Sequence, residues 1–90
     1  MADLVIKERY SPVVMGANST ASVNGVQLGG FVALTSGTIT VTRNNDDGTT
    51  TVIINAVPVT AGVYLPLPFF LGSHGGTVTL AGGASGTLAV

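Results

Sequence analysis

The chain has no cysteine and no tryptophan, and only seven of its 90 residues are charged: three Lys or Arg and four Asp or Glu. Without cysteine there can be no disulfide and no thiolate metal site. A lone histidine, His74, cannot supply the ligands of an ordinary zinc site. A chain this short forms one domain and hides only about 60–65% of the surface its unfolded form exposes. Domains of that size usually need a staple. With disulfide and zinc excluded, the remaining staple is contact with other subunits or with a larger body.

The scarcity of charge excludes partners as well. Charged residues make up 8% of the chain, against about 25% in an ordinary soluble domain. Asp3, Lys7, Glu8 and Arg9 gather near the N-terminus, and Arg43, Asp46 and Asp47 at one expected turn. From Gly48 to Val90 there is no Asp, Glu, Lys or Arg. A free monomer normally spreads mixed charge over its surface for solubility. A surface of Thr, Ser, Gly and Asn, with a formal net charge of −1, suits a protein held at high local density by symmetric contacts. Three basic residues cannot form a stripe that tracks a phosphate backbone, so nucleic acid is not an expected partner. Nor is a membrane. The run Leu4-Val5-Ile6 is far shorter than a signal peptide's core, and Ala56–Leu71 is interrupted by Pro58, Pro66 and Pro68. A soluble protein made in the cytoplasm is the expectation.

What the chain does have is alternation. No segment shows apolar spacing at helical period, and the 13 glycines fall too often for a long helix. The pattern predicts an all-β protein, a small antiparallel β-sandwich or barrel of six to eight short strands with an N-terminal arm. Residues 1–20 are expected to be arm and irregular loop, and residues 21–90 the β domain. Leu4–Arg9 reads as a first strand or arm, and Tyr10–Thr20, with Pro12, Gly16 and Asn18-Ser19-Thr20, as a loop or irregular edge. Ala21–Gln27 reads as a short strand interrupted by a tight turn at Asn24-Gly25.

The clearest unit is Gly37–Arg43, which puts Ile39 and Val41 on one face and Thr38, Thr40 and Thr42 on the other. Asn44-Asn45-Asp46-Asp47-Gly48 is a strong turn signal, and Thr49–Asn55 is the return strand. The three threonines form an outward ladder, with Thr49 and Thr51 expected across the hairpin. Val57-Pro58-Val59 is a strand whose proline belongs at an edge or bulge. Thr77–Ala81 and Thr87–Val90 are the last two strands. Gly37, Gly76 and Gly86 each precede an alternating run and read as turn glycines at strand starts.

Chemistry is sparse. His74 is the only base that titrates near neutral pH, and it sits in an expected surface loop beside glycines, a poor place to hold an angle. Asp46 and Asp47 are neighbours on one turn, where both would be solvated, so they do not form a paired-carboxylate site. The same turn lacks the ligand spacing and downstream bidentate acid of a calcium loop. No glycine cluster is followed by the Lys-Ser/Thr pair of a phosphate loop. The expectation is a protein that is not an enzyme, with no catalytic, cofactor-binding or metal-ligating residue. Tyr64, Phe69 and Phe70 lie in the most apolar stretch, where core or subunit contact is the ordinary role. Phe69 and Phe70 are consecutive, so at most one can face the core.

Four segments resemble small structural proteins of tailed-bacteriophage virions: Val26-Gln27-Leu28-Gly29-Gly30-Phe31, Ala56–Tyr64, Leu67–Gly72 and Gly83–Leu88. Within that group the chain is most similar to capsid decoration, or cement, proteins. The resemblance implies a virion location and a symmetric homo-oligomer, often a trimer, that clamps the major capsid protein from outside. It carries no catalytic residues. On this reading Leu4, Val5 and Ile6, flanked by Lys7, Glu8 and Arg9, extend an edge strand of the capsid or of a sister subunit. Tyr64, Phe69 and Phe70 are the other candidate contact residues. A tail, collar or fibre component is the alternative within that class. A carbohydrate-binding module using Tyr64, His74 and the threonine ladder, or an ice-binding protein, is the alternative outside it.

Overall fold

The computed structural model describes residues 11–23, 27–71 and 74–90. Among these there is no helix. Eight strands follow in order: β1 Pro12–Met15, β2 Thr20–Val23, β3 Gly30–Thr35, β4 Gly37–Asn44, β5 Thr50–Val59, β6 Tyr64–Pro66, β7 Gly76–Ala81 and β8 Ser85–Ala89. They form two four-stranded sheets, β1-β8-β3-β6 (sheet A) and β2-β7-β4-β5 (sheet B). Every strand pair is antiparallel. The all-β expectation holds, and its form is a sandwich of two separate sheets. The expected strand at Leu4–Arg9 and the turn at Asn24-Gly25 lie outside the described residues.

Only β4 and β5 are consecutive strands in the same sheet. Every other connection crosses from one sheet to the other. The slab measures 38 × 31 × 18 Å, so its two broad faces dominate the surface. Between the sheets the side chains alternate inward as the pleat requires. Phe31, Leu88, Ile39, Val41, Val78 and Leu80 are fully buried. Val13, Leu88, Phe31 and Leu65 form one inward row across sheet A. Ala21, Val78, Val41 and Ile54 form its counterpart across sheet B. Leu28, Leu67 and Leu71 close the core from irregular segments.

Several segments differ from the sequence-based expectation, each for a physical reason. Pro12–Met15 is not a loop; it is a regular edge strand paired with β8. Proline is tolerated there because an edge position needs no ladder donor on its outer side. Thr49–Asn55 and Val57–Val59 are not two strands. They merge into β5, which absorbs register shifts opposite Ile39–Thr42. Ala56 adopts a left-handed conformation at φ 49° within β5, and its amide donates to Thr40 Oγ1 at 2.9 Å. Pro58 stands on that same strand, the free edge of sheet B, as its chemistry demands.

The threonine ladder is real, but its neighbours are not the expected ones. Thr38, Thr40 and Thr42 do point outward. Across the hairpin, however, Thr38 faces Pro58 and Thr42 faces Val52, while Thr51 pairs with Arg43. Their threonine partners stand on β7: Thr40 opposite Thr79 and Thr42 opposite Thr77. Gly37, Gly76 and Gly86 are not turn glycines either. Positive φ values belong to Gly48, Gly62, Gly75, Gly82 and Gly83. The three strand glycines are needed because neighbouring backbone occupies the space a Cβ would fill: the Ala81 carbonyl at Gly37, that of Thr42 at Gly76 and that of Val32 at Gly86.

Candidate functional site

Among the described residues, all ionisable side chains except Tyr64 lie at the β4–β5 hairpin end of the slab. Arg43 is the penultimate residue of β4, Asp46 and Asp47 sit in the loop, and His74 approaches from the segment before β7. Backbone and side-chain hydrogen bonds bring His74 there: Asn44 N donates to the Gly75 carbonyl at 2.9 Å and Asn44 Nδ2 to the His74 carbonyl at 3.0 Å. His74 Nε2 then meets Asp46 Oδ1 at 2.9 Å. The Asp46 side chain is 94% exposed and that of His74 50%, so water screens the pair and neither group is held in a dry environment. Arg43, Asp46, Asp47, Leu71 and His74 border an open cavity of about 540 Å³.

The loop is shaped from within. Gly48 supplies the positive φ of 86°. Asp47 Oδ1 accepts from the Thr49 hydroxyl at 2.6 Å and from the Thr49 amide at 3.0 Å, an Asx-type turn. Asn45 Nδ2 donates to Thr49 Oγ1 and Thr51 Oγ1. The Thr49 hydroxyl and then its amide stabilise the carboxylate and hold Asp47 below the usual aspartate range. A group depressed in this way supports the folded loop above its unfolded-state pKa, and that support is lost as pH falls through the lower, folded value. The Thr49 amide resonance is therefore expected to stay fixed down through the ordinary aspartate range and to shift only below it. An NMR titration with its midpoint at or above the ordinary value would contradict this.

The two broad faces have different chemistry. The outer face of sheet B carries Thr20, Thr79 and Thr40 in one row and Ser22, Thr77, Thr42 and Val52 in the next. Thr20 and Thr79 share a hydrogen bond of 3.3 Å between their hydroxyls. The outer face of sheet A carries Val14, Thr87, Val32 and Tyr64 in one row and Pro12, Ala89, Gly30 and Pro66 in the next. Leu34 follows Val32 on that same face and is 76% exposed. The Tyr64 ring occupies the space over Gly30, which has no side chain to obstruct it, and its hydroxyl donates to the Gly29 carbonyl at 2.8 Å.

The candidate residues are thus dispersed. Leu4, Val5, Ile6, Lys7 and Arg9 lie outside the described residues. Tyr64 is on the apolar face of sheet A. Phe69 packs half-buried against the core while Phe70 is 64% exposed and bridges to Gln27, as their opposite facing requires. Tyr64, His74 and the threonine ladder stand on three different parts of the slab: one face, one end and the opposite face. No single surface gathers them. Val14, Val32, Leu34 and Thr87 were not singled out from the sequence, although the unbroken apolar run Phe31-Val32-Ala33-Leu34 was a signal for them. The chain matches no protein-family model, no curated protein and no solved structure.

Proposed function

We propose that this chain is a structural assembly protein, a decoration subunit that binds the outside of a phage capsid as a symmetric oligomer. The observation that carries this reading is the placement of charge. Among the described residues, both broad faces of the slab lack Asp, Glu, Lys, Arg and His, which are confined to the hairpin end. A face of that kind can be covered by a neighbour without stripping water from an ion, the step that makes charged contacts costly. Many weakly bound copies on a repeating shell then add up to firm attachment. The resemblance to decoration proteins supplies the choice of shell.

In this reading the segment Leu4–Arg9 adds a strand to a sheet edge of the major capsid protein or of a sister copy. Three of the sandwich's four edge strands, β1, β5 and β6, each carry a proline, Pro12, Pro58 and Pro66, which blunts them against indiscriminate strand addition. Deleting residues 2–9 is expected to abolish co-sedimentation with capsids while leaving the far-ultraviolet circular dichroism of the sandwich intact. Undiminished pelleting of the truncated chain would remove the arm from the account. A chain that fails to pellet with capsids in its full-length form would remove the decoration role itself.

A further inference from the structure

Antiparallel sheets with one wet face alternate apolar and polar residues, whereas strands covered on both faces read as unbroken apolar runs. Strands β2, β4 and β7 of sheet B follow the first rule. Gly37-Thr38-Ile39-Thr40-Val41-Thr42 and Gly76-Thr77-Val78-Thr79-Leu80 alternate, and their outward residues are threonines. Three of the four strands of sheet A follow the second. Pro12-Val13-Val14-Met15 on β1, Phe31-Val32-Ala33-Leu34 on β3 and Val63-Tyr64-Leu65-Pro66-Leu67 around β6 are continuous apolar runs. Yet among the described residues only the inner face of that sheet is covered. Val14 is 83% exposed and Leu34 76% exposed, with Val32 and Tyr64 also open. Three strands from distant parts of the sequence, β1, β3 and β6, share this anomaly, while β8, between β1 and β3, alternates and turns Thr87 outward.

We infer that the outer face of sheet A is covered by the same face of a second copy of this chain, the two molecules packing sheet to sheet about a two-fold axis. The occupant follows from the face's own chemistry. Among the described residues its one ionisable group is the Tyr64 phenol, already donating to the Gly29 carbonyl. A second copy therefore brings an equally uncharged surface, and neither partner desolvates an ion. The face also has relief of its own. Leu34, 76% exposed, is itself one wall of an apolar hollow of about 190 Å³ that Val14, Val32 and Thr87 also border. An isologous pair applies the same patch twice, so each Leu34 enters the other copy's hollow. A slab face within 38 × 31 Å accommodates the ~800 Å² per partner of a standard interface. Pairing in this way closes on itself and leaves the threonine faces of both copies in water. The inference rests on the assembly reading only in that copies meet one another; it requires no capsid.

The chain has no cysteine, which makes single introduced cysteines clean reporters. The full chain is expected to sediment as a dimer at micromolar concentration. Thr87→Cys, near the centre of the face, is expected to yield disulfide-linked dimers on mild oxidation, and Val52→Cys, on the outer face of sheet B, is not. Leu34→Asp places an unpaired carboxylate in the contact and is expected to weaken dimerisation at least ~100-fold. Its circular dichroism melt serves to establish that the monomer remains folded. A wild-type monomer, a trimer, equal cross-linking at 87 and 52, or a Leu34→Asp chain that still dimerises would each overturn the pairing. So would a monomer that binds neutral lipid vesicles. Co-sedimentation with capsids is measured on the same samples. A monomer that pellets with capsids removes the pairing and leaves the decoration role. A dimer that never pellets upholds the pairing and removes the decoration role.

Discussion

Gly86→Ala is expected to lower the stability of the fold by about 3 kcal/mol, at the severe end of overpacking substitutions. β8 is an interior strand of sheet A, and Gly86 faces inward between Met15 and Ala33. A Cβ there would lie 2.7 Å from Phe31 Cζ and 2.9 Å from Ala33 Cα, and closer still to the Val32 carbonyl oxygen. A flexible side chain could give way, but two of these three atoms belong to the backbone of β3. Relief therefore requires β3 and β8 to part, at the expense of ladder hydrogen bonds in the middle of the sheet. Gly16→Ala is the matched control. Nothing lies within 4 Å of a Cβ at Gly16, and its φ is not positive, so its effect is expected to stay within about 0.5 kcal/mol. Urea unfolding of the two variants makes the comparison, and equal midpoints for Gly86→Ala and the wild type would refute the crowding account.

Phe31→Ala is expected to cost about 3–5 kcal/mol, the range for removing a fully buried aromatic ring. Phe31 has no exposed surface and sits in the central inward row of sheet A, flanked by Leu88 and Leu65. A domain this small has about 5–13 kcal/mol of total stability at ordinary values per residue. The substitution thus removes a large share of it, and the chain is expected to be partly unfolded at 37 °C by circular dichroism. The two sites are coupled through the ring. In Phe31→Leu/Gly86→Ala the ring contact disappears while the Val32 carbonyl contact stays, so the double variant is expected to lose less than the two singles combined. Strict additivity would show that the ring does not limit the space at Gly86.

Particular elements show how far the sequence could be read. The β4–β5 hairpin was legible because every signal for it is local: period-two alternation through Gly37–Arg43, five turn-forming residues, then a second strand. The opposite facing of Phe69 and Phe70 followed from the pleat alone. Pro12–Met15 was not legible as a strand, because it is four residues long, begins with proline and pairs with β8 at the far end of the chain. The merging of Thr50–Val59 into one strand depended on how β4 tolerates the register shifts around Ala56, a property of the pair and not of either segment. The strand glycines were read as turns because glycine reports the same letter whether it provides a positive φ or yields space. Only the surrounding atoms distinguish the two.

The amino-acid sequence by itself settled the class of the fold and the confinement of charge, since composition and period-two patterning are properties of segments a few residues long. The tertiary structure decided which strands share a sheet, and with that which residues share a face. Val14, Val32, Tyr64 and Thr87 are distant along the chain, and only strand pairing assembles them into one row. Side-chain direction is set locally by the pleat, but neighbourhood in a sandwich is set by long-range hydrogen bonding, and no local pattern encodes it.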